Sequence, residues 1–175
     1  MEQKLYTLLV YSENVAGILN QVTAVFARLS VNIESLNVSA SSIEGIHKYT
    51  ITCWTTPDQV KKAGKLLEKK IDIVKVSYYT DNEIFFHEVA LYKISTPALL
   101  DNPEISRAIR RHDARMMEVN PTYSTVMQTG LTEDIADLFK ILNSFNCLLQ
   151  YTRSGRIAVT RSVEEPVADL LKEDQ

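Results

Sequence analysis

The sequence is poor in the residues that usually announce chemistry. Its 175 residues include two cysteines, three histidines and one tryptophan. Cys53 and Cys147 sit far apart in separate apolar stretches. They form neither a disulfide framework nor a metal-spaced cluster, and are expected to be buried free thiols of a reducing compartment. His47, His87 and His112 have no second ligand at metal spacing on a shared face. There is no Walker loop, no dinucleotide-type glycine run and no G-x-S-x-G elbow. No apolar run nears the roughly 20 residues of a membrane span. The start, Met1-Glu2-Gln3-Lys4, opens a strand pattern and not a charged-then-apolar leader. A cytoplasmic chain with no membrane partner is expected. Five glycines and five prolines predict short loops.

Charge is scarce in one direction too. Nineteen basic against 22 acidic residues leave a net charge of −3, so no overall footprint for nucleic acid exists. The aromatics are scattered and make no stacking platform for a single strand. What is present is globular composition, 45% apolar and 23% charged. The length suffices to bury a core without a staple.

The pattern reads as one plan used twice. Lys4–Tyr11 is apolar on both faces, as in a buried strand, and Ser12-Glu13-Asn14 is expected to break it. Leu19, Val22, Val25, Phe26 and Leu29 recur at helical spacing. Asn32–Ser39 alternates with period two. Ser41–Gly45 forms a turn, and Tyr49–Trp54 is a β-branched and aromatic strand. Thr56-Pro57 caps and opens a helix with Val60, Ala63, Leu66 and Leu67 inward. Its lysines, Lys61, Lys62, Lys65, Lys69 and Lys70, read as a solvated face. Ile71–Val76 is a fourth strand. This β-α-β-β-α-β order is the ferredoxin-like split βαβ plan.

Thr80-Asp81-Asn82-Glu83 is a polar break, after which the plan resumes. Glu88–Ile94 is a strand, and Pro103–Arg111 a helix with Ile105, Ala108 and Ile109 inward. Ala114–Val119 and Tyr123–Gln128 form a hairpin around Asn120-Pro121. Thr132 caps a helix burying Ile135, Leu138, Phe139 and Leu142. Cys147–Thr152 and Arg156–Arg161 are strands. The domains are expected at 1–79 and 84–161, joined by a linker at 80–83. A polar tail, 162–175, has room for a short helix. The fold class is α+β, two ferredoxin-like βαββαβ domains.

One locus has chemical potential. Asn14-Val15-Ala16-Gly17-Ile18-Leu19 joins the first strand to the first helix. Gly17 permits close backbone approach, and the helix N-terminus offers N–H groups and a favourable dipole to a small carboxylate. The Asn14 amide can accept from an ammonium and donate to a carboxylate. Ala16 and Ile18 can border a small apolar side chain. The second strand falls at a sheet edge, without Pro or Lys to blunt it, and such edges invite pairing. Two-fold pairing there would bring Asn32 of one chain near the strand–helix turn of another. Arg107, Arg110, Arg111 and Arg115 cluster along one helix and its exit, and could meet an anion or an acidic surface.

At this locus the sequence resembles the regulatory (small) subunit of acetolactate synthase, also called acetohydroxyacid synthase. The residues that carry the resemblance span nearly the whole chain: Asn14-x-x-Gly17-x-Leu19, Asn32-Ile33-Glu34-Ser35-Leu36, Asp72–Val76, Glu88–Ile94 and Thr152–Ala158. Ser124, with Tyr123 one earlier, departs from the usual hairpin Tyr, and the turn at Ser41–Lys48 lacks the family's Asp- and Pro-containing loop. The resemblance implies an N-terminal ACT domain and no catalysis of its own. It implies a homodimer through the ACT domain that binds a catalytic (large) subunit, activates it and confers feedback inhibition by a branched-chain amino acid, usually valine. The effector site it implies comprises Asn14, Ala16, Gly17, Ile18, Asn32 and Ile33. Thiamine diphosphate, Mg and FAD are implied for the catalytic partner and no cofactor for this chain. A stand-alone ACT-type amino-acid sensor serving another enzyme is the alternative. A small enzyme on this scaffold would need a titratable cluster that the sequence does not offer.

Overall fold

A computed structural model describes residues 2–163 and 167. The described residues divide into two compact units. The first runs to Phe86 and resumes at Arg156; the second is His87–Gly155.

In the first unit, β1 (Lys4–Glu13), α1 (Ile18–Arg28), β2 (Ser35–Ala40), β3 (Ile46–Thr55), α2 (Pro57–Glu68) and β4 (Ile73–Tyr79) follow the expected order. The sheet is antiparallel in its pairings and ordered β2-β3-β1-β4. Alternation along β1 sends Tyr6, Leu8 and Val10 to the helix side, where they meet Ile18, Val22, Val25 and Phe26 of α1 and Val60, Ala63 and Leu67 of α2. Leu9 and Tyr11 face the other way and are covered by Ile84, Ala158 and Val167. Thr56 caps α2 by accepting from the Gln59 N–H at 3.3 Å, with Pro57 at the first position.

Several expectations shift. β1 does not break at Ser12. Ser12 is fully buried, its hydroxyl reaches the Glu13 carbonyl and the Tyr49 hydroxyl, and Glu13 still pairs with Ile46. β2 begins at Ser35 and not at Asn32, because only from there does the ladder with β3 run. β4 starts at Ile73, leaving Ile71 98% exposed. A 3-10 turn, Asp81–Glu83, occupies the expected linker, closed by a capping box in which the Thr80 N–H and hydroxyl both donate to Glu83. Those donors hold the Glu83 carboxyl below its ordinary value.

The second unit repeats the plan with β5 (Ile84–Ser95), α3 (Thr96–Asp101), α4 (Pro103–Arg111), β6 (Arg115–Val119), β7 (Tyr123–Gly130), α5 (Thr132–Ser144) and β8 (Leu148–Arg153). The boundary between units falls inside β5, after Phe86. The second sheet is ordered β6-β7-β5-β8, and β9 (Ile157–Thr160) also pairs with β5. Its core joins Ala90, Tyr92 and Ile94 to Ile105 and Ile109 of α4 and to Ile135, Leu138 and Leu142 of α5. The short helix α3 is an addition to the expected elements. Ser95 caps it and Pro97 lies in its first turn, the same signal that opens α2. Thr132 is not the cap of α5. Leu131 holds that position, and the Thr132 hydroxyl instead donates to buried Glu88 at 2.8 Å.

The compact units differ from the expected boundary at 84. Residues 84–86 and 156–163 belong with the first unit. The Arg156 guanidinium explains the return. It is buried, donates to the Asp81 carboxylate at 2.6 Å and to Thr7 Oγ1 at 3.4 Å, and stacks 3.7 Å from the Phe86 ring. Lys48 Nζ donates to the Ala158 carbonyl at 3.1 Å. Of the expected tail, 162–175, only Ser162, Val163 and buried Val167 are described, so the helix expected there lies outside the described residues.

Candidate functional site

The turn between β1 and α1 is exposed from Asn14 to Gly17. The Asn14 N–H donates to the Gly45 carbonyl at 2.9 Å, which fixes where β1 ends. Gly17 occupies the N-cap position in the left-handed region, at φ +92°, which favours glycine. It brings no side chain to cap the helix, and the first turn of α1 holds no acidic residue. The early N–H groups of a helix have no partner inside it. The Ile18 N–H donates to the Val15 carbonyl at 3.4 Å, and no side-chain cap serves the rest of the positive end of α1.

The six expected site residues fall into two groups. Asn14, Ala16, Gly17 and Ile18 are contiguous at one end of the first sheet. Ile18 contributes only backbone, since its side chain is buried in the core. Asn32 and Ile33 precede β2 at the other end, Asn32 exposed and Ile33 half-buried against the core. The ladders fix this separation. Ser35 pairs with Thr52 and Thr52 with Thr7, so Ser35 lies level with Thr7. Asn14 is seven residues further along, about 23 Å at ~3.3 Å per residue. One chain does not bring the two groups together.

Two apolar side chains beside the turn escaped the sequence reading. Val15 is 49% exposed and Leu19, expected inward, is 46% exposed. The signal was available. With Ile18 counted, positions 18, 22, 25 and 26 define the buried face, and Leu19 points about 100° away from Ile18. On β2, Val38 is also exposed.

Nucleophiles are not prepared for work. Cys53 and Cys147 are buried and free. Burial, with a smaller contribution from Glu34, pushes the Cys53 thiol up to about 11. Burial likewise raises Cys147. Thiols held protonated are poor nucleophiles. Among the described residues no group of His, Cys, Asp and Glu is placed to hold a metal ion. No helix among them is long and apolar enough to cross a membrane.

Comparison with known proteins gives the arrangement a family. The family described as the small subunit of acetolactate synthase matches residues 87–162, and the ACT domain family matches residues 6–72. The chain is 29% identical over 161 residues to the acetolactate synthase small subunit of Mycobacterium bovis, covering 92% of this chain and 95% of that one. The two matched segments follow one another along the chain, ACT domain first and acetolactate synthase small subunit second. The acetolactate synthase small subunit of Aquifex aeolicus is 27% identical, over 90% of this chain and 82% of its own. A crystal structure of the acetolactate synthase small subunit from Thermotoga maritima superposes with a TM-score of 0.83 at 20% identity, covering 92% of this chain and 99% of that one. That likeness establishes the two-unit α+β fold, with an ACT domain first. The β1–α1 turn, with Asn14 and Gly17, lies inside the stretch that matches the ACT domain.

Proposed function

We propose that this small subunit binds and activates the catalytic subunit of acetolactate synthase and makes it sensitive to a branched-chain amino acid, valine above all. The observation that carries this reading is the split site on an unpaired edge. β2 ends the sheet, and the two groups of site residues stand at opposite ends of it. Antiparallel pairing of β2 with its copy about a two-fold axis turns one end toward the other. The Asn32 end of one protomer then faces the Asn14–Ile18 end of its partner. A homodimer through the ACT domain would complete the site.

Valine suits such a site chemically. Its carboxylate meets the N–H groups at the start of α1, and the Asn14 amide serves its polar head. Asn32 and Ile33 of the other protomer close over it, and Ala16, Val15 and Leu19 offer the nearest apolar surface. An effector held between protomers favours one dimer arrangement, and a bound catalytic subunit responds to that shift. A coupling of about 1–3 kcal/mol corresponds to 5–150-fold regulation. Thiamine diphosphate, Mg and FAD would belong to the catalytic subunit, and both subunits would work in the cytoplasm.

Calorimetric titration of the full chain with valine, leucine and isoleucine tests the effector assignment. Heat is expected with valine at least. Silence with all three would sink the assignment. Mixing with the purified large subunit tests the partner. Failure to bind it while still binding an amino acid would favour a stand-alone sensor serving another enzyme.

A further inference from the structure

The second unit has an edge of its own. β6 lies at the end of the sheet, and every one of its five residues is exposed. Met117 is 56% and Val119 64% exposed, unusual for large apolar side chains on a strand. Arg110 and Arg111, in the last turn of α4, lead through a short turn to Arg115, which opens β6. All three are exposed, and none makes an ion pair among the described residues. Arg107, one turn back, is paired with Glu104. The nearby acids do not neutralise them. Glu118 accepts from Asn120 Nδ2 at 2.8 Å and from the Tyr123 hydroxyl at 3.3 Å. Asp113, in the turn, makes no ion pair. The helix dipole favours cations at the end of α4, but its reach is one turn and does not include Arg115.

We infer that β6 with Arg110, Arg111 and Arg115 is a docking surface for the catalytic subunit, which adds an extended, carboxylate-rich segment to this edge. The inference rests on the functional reading above, which supplies the partner. Edge strands accept a further strand through their free backbone groups, and side-chain pockets give the choice. Arginine and methionine are enriched at interfaces, arginine for its bidentate grip on carboxylates and methionine for its adaptable shape. A second copy of this chain is a poor occupant. The ladder shifts register between Met116 and Glu118, and such a bulge works against indiscriminate edge pairing. Nucleic acid is a poor occupant as well. The Tyr123 ring, whose hydroxyl donates to Glu118 of β6, already has Lys93 Nζ 4.1 Å over it and offers no free platform.

The test uses the full chain and its cognate purified large subunit, with affinity read by calorimetry or sedimentation. The double variant Arg110→Glu/Arg111→Glu and, separately, Met117→Glu are expected to weaken association roughly tenfold or more. Their thermal melting and valine titration should match the wild type, since all three side chains are exposed in the second unit. Raising the salt should weaken wild-type association more than that of the double variant. Wild-type affinity in both variants would overturn the surface. So would a single-stranded oligonucleotide that binds the wild type and not the double variant while large-subunit affinity stays unchanged. If the wild-type chain itself fails to bind the large subunit, the functional reading falls, and this outcome is distinct from either of the others.

Discussion

Gly17 concentrates the argument in one residue. A Cβ built there meets nothing within 4 Å, so space does not forbid a side chain. The backbone does, at a cost of about 1 kcal/mol for most residues, less for Asn and Asp, which tolerate the left-handed region. That separates folding from function. Gly17→Asp should fold and melt close to the wild type, its charge even favoured at the start of a helix. The same charge occupies the place proposed for the effector carboxylate. Valine heat should vanish and the holoenzyme should lose valine inhibition. Gly17→Asn, neutral and of similar size, should keep part of both. Undiminished valine binding by the Asp variant would move the site away from this turn.

At the scale of the element, α2 is capped well and carries one weak position. Gly64 sits in its interior, where glycine is among the poorest helix formers. A Cβ there would lie 3.6 Å from the Tyr78 ring and 3.9 Å from Val76 Cγ1, ordinary contact distances. Gly64→Ala should therefore stabilise the chain by about 0.5–1 kcal/mol and raise Tm by a few degrees in a calorimetric scan. A lower Tm would mean that the Tyr78 ring cannot absorb the contact. Elements with such strong local signals were legible beforehand. The Thr56-Pro57 start of α2, the Pro103–Arg111 helix and the edge position of β2 all follow from pattern and topology. What escaped depended on partners remote in sequence. Ser12 continues β1 because the Tyr49 hydroxyl accepts from it and the ladder places it opposite His47. Thr132 serves Glu88, 44 residues away, in place of its own helix. Of the site, the Asn14–Gly17 turn was legible, because strand end, glycine and helix start are local. The separation of Asn32 from that turn was not, because only the ladder register fixes it.

For the molecule as a whole, the proposed dimer and the proposed effector site stand or fall together. Val38 lies exposed on β2 and touches neither group of site residues in sequence. Val38→Lys adds the side chain most used to blunt an edge. It should yield a folded monomer in sedimentation and should also abolish valine binding, although no proposed ligand-contacting residue has changed. A monomer that still bound valine with wild-type affinity would show that one chain suffices.

The return of the chain to its first unit bears on the order in which the protein is made. β1 is synthesised before the second unit, yet Leu9 and Tyr11 are covered in part by Ala158 and Val167, and Thr7 is reached by Arg156. Synthesis proceeds from the N-terminus at about 5–20 residues per second. The second unit is whole by Gly155, before that cover has emerged. The unit begun earlier of the two is thus the one completed later, and part of the cover over its outer sheet face arrives only with Ala158 and Val167.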